Sequence, residues 1–200
     1  MLSINMINEQ IKLNLLNERY EHSVRVAETA RMLALRFNLN ADKAYIAGLL
    51  HDCAKDMNVD KLIATAIELG IEINEVQRQK PLKFLHPQIG AYIAKNQYGV
   101  NDKEILQAIR YHHEGSLDMT VFDKIIALSD MVEPNRSFAD VNELRKILET
   151  NIDEAYFCAY KNIITNHIKI NSFLEDNRIR VYNHLLSQRS TETQNKKLVK

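Results

Sequence analysis

The sequence predicts an all-α protein, on three observations. Only five glycines and three prolines occur in 200 residues, so few positions break a helix. Strict apolar/polar alternation is scarce, whereas apolar residues recur at three- and four-residue steps, the spacing of a buried helical face. Helix start and stop residues fall between those periodic stretches.

In chain order, a first amphipathic helix is expected over about Met6 to Leu16. A second runs from near Glu18 to Phe37, with Val26, Ala30, Leu33 and Phe37 on one stripe. A third carries Ala44, Ala47, Gly48 and His51, and a fourth, Val59–Leu69, stops at Gly70. Pro87 suits the opening of a helix, where its missing N–H would be unpaired in any case. Gly99 closes that helix, and Asn101 with Glu104 reads as a capping box for the next. The helix containing Asp130 ends before Pro134, because proline disfavours helical geometry in the residue preceding it. Two further helices are expected in Val141–Ile170 and Leu174–Ser187. No repeat or linker interrupts the chain. The expectation is one helical bundle over residues 1–187 and a polar, frayed tail over 188–200.

Composition narrows the function. Lys and Arg total 26 and Asp and Glu total 26, so there is no global electrostatic case for nucleic acid or a membrane surface. No basic, aromatic-rich stripe stands out either. Cys53 and Cys158 form no metal-ligand spacing and read as free thiols in a reducing cytoplasm. The first residues lack the basic start and apolar core of a signal peptide, and no apolar run approaches the ~20 residues that span a bilayer. A soluble cytoplasmic protein is expected, with neither a nucleic-acid nor a membrane partner.

His51 and Asp52 are the most informative pair, adjacent at the end of the apolar run Tyr45–Leu50. A buried carboxylate must be paired, hydrogen-bonded or metal-bound to offset lost hydration. His22 extends the inward stripe of Val26, Ala30 and Leu33. His112 follows Ile105, Ala108 and Ile109 in the same phase, and Asp130 lies one turn beyond Ile126. Each alone reads more readily as a core histidine or a helix-end acid. Together, several inward His/Asp groups on different helices need one another or a metal. Imidazole and carboxylate without thiolate suit iron, manganese, zinc or nickel in a hydrolytic site.

His22, then His51-Asp52, then Asp130 reproduces the H…HD…D pattern, and the chain resembles the HD superfamily of metal-dependent phosphohydrolases. Within it, five ordered blocks resemble the YqeK-type branch: residues 19–24, 49–56, 85–91, 108–112 and 130–136. That resemblance implies a single HD-type helical domain and symmetrical hydrolysis of diadenosine tetraphosphate to two ADP. It also implies that His22, His51, Asp52 and Asp130 hold the principal metal, favouring iron, while His86 and His112 complete a second metal position or face the phosphates. One or two ions are expected, and two would lie about 3.5–4 Å apart, with Asp52 as a natural bridge. His51, Asp52, His86 and His112 are thereby the expected catalytic set.

Around these ligands stand residues with two readings each. Lys55, one turn after His51, reaches a phosphate or is a solvated helix-end lysine. Asp56 belongs to the nucleotide site, as the resemblance favours, or is a surface acid. Arg136 follows Pro134 and suits phosphate oxygens through its planar fork. Arg19 and Arg25 lie near His22; Arg19 is expected to bind substrate, and both also read as exposed helix charges. His113 departs from the family's usual small polar residue and points about 100° from His112, so it lines the phosphate pocket or the surface. His167 and His184 have no supporting motif. The segment Ile168–Phe173 wraps the nucleoside only by resemblance.

Two other functions compete: an HD-type nucleotidase acting on mononucleotides, and a nucleotide-binding regulator without turnover. The complete set of ligand types argues against the regulator. The C-terminal helices either cover the core or form a homodimer face.

Overall fold

In the computed structural model, residues 2–198 are described, with side chains through residue 189. Twelve helices follow one another among the described residues: α1 Ile4–Asn14, α2 Asn17–Arg36, α3 Ala41–Leu50, α4 Val59–Glu68, α5 Glu75–Gln79, α6 Pro81–Phe84, α7 His86–Asn96, α8 Lys103–Tyr111, α9 Val121–Val132, α10 Val141–Leu148, α11 Ile152–Lys169 and α12 Asp176–Leu198. No strand occurs among the described residues. The all-α bundle agrees with the periodicity, and no described helix is long and apolar enough to cross a membrane.

α3 is the central element. Every residue from Ala44 to Leu50 is buried, so this helix has apolar neighbours on all sides and no polar face. It packs on α2, α8 and α9, and α2 also crosses α9. At the α2–α3 crossing a Cβ on Gly48 would lie 2.8 Å from the Ala27 Cα. Only the missing side chain permits that approach. α7 pairs with α8, and α10 and α11 pack on α9. Val181 and Leu185 of α12 are buried, so the C-terminal helices do cover the core.

Several boundaries differ from the sequence expectation, each for a local reason. The first helix starts at Ile4, because Ser3 accepts from the Met6 N–H at 3.3 Å. The cap of α8 is Asp102 rather than Asn101: its carboxylate accepts from the Glu104 and Ile105 N–H groups at 3.0 and 3.3 Å. α7 ends at Asn96. Gly99, at φ +67°, then turns the chain so that the Val100 N–H returns to the Ala94 carbonyl. The stretch 141–170 divides into two helices, because Asn151 starts α11 by accepting from the Glu154 N–H at 3.0 Å. α5 and α6 are too short to have announced themselves by periodicity. α12 continues as a helix past Ser187. The tail expected over 188–200 lies largely outside the described side chains, and residues 199 and 200 lie outside the described residues altogether.

Candidate metal centre

Five helices deliver the site. His22 sits mid-α2; His51 caps the C-terminus of α3, followed by Asp52; His86 opens α7; His112 caps the C-terminus of α8; and Asp130 lies in the last turn of α9. All four histidines and Asp52 are buried. Two three-residue groups bring one ligand atom from each member within 4.8 Å of the others: His22, His51 and Asp130, and His51, Asp52 and His112. His51 belongs to both. His86 stands outside both groups, although its Nε2 is 3.1 Å from Asp52 Oδ1 and 3.2 Å from His112 Nε2.

The rings are oriented as ligands. Helix ends leave carbonyls without intrahelical partners, and the site uses them. The Nδ1 of His51 pairs with the Gly48 carbonyl at 2.7 Å, that of His112 with the Ile109 carbonyl at 2.8 Å, and that of His86 with the Leu82 carbonyl at 2.8 Å. Nδ1 must donate to a carbonyl, so each Nε2 is left with its lone pair facing inward. His22 and His51 Nε2 have no hydrogen-bond partner, although His22 Nε2 stands 3.1 Å from Asp130 Oδ1. Atoms that converge without bonding one another fit a divalent cation.

Charge follows the same plan. Burial lowers the His51 pKa to about 4, and His86 likewise falls well below the usual range, so both rings are neutral donors near neutral pH. Burial alone would raise the Asp52 carboxyl, but His51, His112 and His86 hold it well below the carboxylate range. Asp130 behaves similarly beside His22, His51 and Arg136. Cys53 is pushed up by burial and donates to the Gly90 carbonyl, so it is no ligand.

The flanking residues resolve as follows. Arg19 Nη1 is 2.8 Å from Asp52 Oδ2, and Lys55 Nζ is 3.2 Å from His86 Nε2 and 3.8 Å from Asp52 Oδ1. Arg136 Nη2 meets Asp130 Oδ1 at 2.5 Å. All three cations therefore stand at the ligand cluster. Asp56 instead accepts from the Leu16 N–H at 3.0 Å and so ties down the start of α2, with Arg19 Nε 3.8 Å away. His113 is half-buried, with its Nδ1 2.8 Å from Glu114 Oε1 and its ring edge-on to His86. His167 is held by the Phe173 carbonyl and Lys83, a structural setting.

Sequence reasoning missed three residues. Glu133 accepts at 3.3 Å from His22 Nδ1 and is clasped by Arg25. Its signal was available: Glu133 follows Asp130 by three positions, as Arg25 follows His22, and residues three apart share a helix face. Arg145 binds the Val132, Glu133 and Arg136 carbonyls and closes the end of α9. Arg178, from α12, is buried against Glu114 and the His113 carbonyl, and no local pattern announced it.

A cavity of about 450 Å³ opens beside His22, walled by Arg19, Arg25, Asp56, Glu133 and Arg136. A larger one, about 700 Å³, lies along other faces of α7 and α8 and includes none of the site histidines. Size is therefore no guide to the chemistry here.

The HD-domain profile matches residues 19–135. The chain belongs to the HD family. The HD protein is 35% identical over 177 residues to the symmetrical bis(5'-nucleosyl)-tetraphosphatase of Bacillus subtilis, covering 88% of this chain and 94% of that one. Its counterpart in Staphylococcus aureus is 32% identical, over 91% of this chain and 90% of that one. A crystal structure of a predicted HD superfamily hydrolase involved in NAD metabolism from Clostridium acetobutylicum superimposes with a TM-score of 0.88 at 36% identity. That superposition covers 94% of this chain and 99% of the other.

Proposed function

We propose that this HD protein hydrolyses diadenosine tetraphosphate symmetrically, yielding two ADP. The observation that carries the reading is a pair of ligand groups sharing His51, edged by Arg19, Lys55 and Arg136. The names of relatives that match nearly end to end support the substrate and the symmetry. Iron is the proposed ion, one or two per chain: imidazole and carboxylate donors without thiolate suit it among several divalent metals, and the resemblance to the YqeK-type branch favours it. When bound, the cation supplies Lewis acidity and an acidified water.

The protein side of the reaction is the work of named groups. His22, His51 and Asp130 hold the principal ion together with Asp52; His86 and His112 reach the second position or the phosphates. Arg19, Lys55 and Arg136 neutralise charge on the polyphosphate as it grows on the oxygens. Burial lowers the Lys55 pKa, opposed by the neighbouring Asp52 carboxylate. Asp56 and His113 frame the nucleotide side. The proposed compartment is the reducing cytoplasm, where Cys53 and Cys158 stay free.

Chromatography of early products from metal-loaded protein tests the proposal. ADP alone is expected from diadenosine tetraphosphate. Equal AMP and ATP would overturn symmetry. Intact substrate alongside brisk hydrolysis of mononucleotides would replace the reading with a nucleotidase.

A further inference from the structure

His22 differs from the other three site histidines in what holds it. Its Nδ1 faces the Glu133 carboxylate, 111 residues away in sequence, at 3.3 Å. Glu133 is 2% exposed, so this is no solvent-screened contact. The carboxylate is held in turn: Arg25 Nε donates to Oε2 at 2.7 Å, the Asn135 N–H donates to the same oxygen at 2.8 Å, and Arg136 Nε lies 3.8 Å from Oε1. Arg25 is one turn from His22 on α2 and Glu133 one turn from Asp130 on α9. The two helices are thus joined by the Arg25–Glu133 pair and the His22–Glu133 contact, beside the 3.1 Å approach of His22 Nε2 to Asp130 Oδ1.

We propose that Glu133, oriented by Arg25, is a positioning residue that sets the binding strength of the His22–His51–Asp130 group for a divalent cation. The inference rests on the metal reading above. An anionic acceptor at Nδ1 fixes the proton there, leaves the Nε2 lone pair for the ion and makes the ring a stronger donor than a neutral carbonyl does. It also links the helices that bring two of the three ligands. Glu133 points its carboxylate at His22 rather than into the ligand group, so it supports a ligand without being one.

The test is a competition titration of Mn²⁺ against a chromophoric chelator, using the full-length wild type, Glu133→Gln, Glu133→Ala and Arg25→Met. Loss of an outer partner of a metal-bound histidine weakens affinity by about 10- to 100-fold. Glu133→Gln keeps an acceptor but removes the charge, so a loss of about tenfold is expected, with Glu133→Ala worse and Arg25→Met milder. At saturating Mn²⁺, kcat should recover toward wild type and KM should stay put. A structural defect would not be repaired by metal. Should Glu133→Ala fail to fold by circular dichroism, Arg25→Met, which leaves the carboxylate in place, decides the matter with Glu133→Gln. Wild-type affinity in both of these overturns the inference. Unchanged affinity with a raised KM overturns it too, by assigning Glu133 to the substrate. A wild type that binds no Mn²⁺ sinks the metal reading itself.

Discussion

The two sides of the metal centre are built by different means. His51, His86 and His112 each lean on a carbonyl three or four residues back in the chain. Their orientation is settled within a single turn once the helix end forms. His22 leans on a carboxylate from α9, and Asp130 reaches it from the same helix. That side exists only when α2 and α9 have packed. The difference teaches that one cluster can combine pre-oriented ligands with ligands that report on the tertiary fold. The shared member, His51, couples the two.

Removing the shared member should produce the largest effect. His51→Ala or Asp52→Ala is expected to strip most bound metal and abolish turnover, since each removes a central ligand. Full occupancy by elemental analysis with surviving activity in both variants would show that the centre lies elsewhere.

Replacing Arg136 or Lys55 with Ala asks whether the cations at the edge serve substrate or ligands. A charge-assisted hydrogen bond is worth about 1.5–3 kcal/mol, so kcat/KM should fall about ten- to hundredfold with metal content nearly intact. Arg136 touches Asp130 directly. A parallel drop in metal content would therefore move it to the side that depends on helix packing. Unchanged kinetics in both would return the two residues to the solvated surface.

Gly48→Ala attacks the pre-oriented side through its backbone. The new Cβ would meet the Ala27 Cα at 2.8 Å and its N at 3.0 Å, with no flexible side chain to yield. Overpacking of this kind costs about 1–3 kcal/mol, and thermal unfolding should register it. Because the Gly48 carbonyl anchors His51, metal affinity should fall with stability. Loss of stability with undiminished affinity would separate the carbonyl's position from the helix crossing.

The smallest effect is expected at His113, which also leans on a carboxylate, though one adjacent in the chain. Burial, opposed by Glu114, lowers its pKa from 6.5 to about 4. A depressed folded pKa gives stability that is whole above about pH 6.5 and lost as the pH falls toward 4, because the unfolded chain binds the proton first. His113→Asn should therefore flatten part of the acid slope of the metal-free protein. With a fifth of the side chain solvated, the change should be about 1–2 kcal/mol across that window. Denaturant titrations at pH 7 and pH 4.5 measure it, and identical slopes in the two proteins would remove His113 from the account.

The inward histidines were legible because helical phase is a local property. His22, His51 and His112 follow apolar residues at three- and four-residue steps, and burial agrees with that phase in all three. Glu133 shares a face with Asp130, but its partners His22 and Arg25 lie more than 100 residues away, and only the packing of α2 on α9 brings them to it. Arg178 was hidden in the same way. Nothing near it in the chain differs from an ordinary surface arginine, and only the packing of α12 brings it to Glu114. Asp102 displaced Asn101 as a cap because a one-residue difference in where the chain turns is decided by backbone angles.

By itself, then, the sequence determined an all-α chain and a set of polar groups aimed inward, since both follow from the 3.6-residue period of each helix alone. The tertiary structure decided which of those groups meet. The crossing of α2 with α3 at Gly48, the link from Arg25 to Glu133, and the approach of Lys55 to His86 depend on helices packed over separations of 21 to 108 residues. Periodicity states which way a side chain faces; only packing states what it faces.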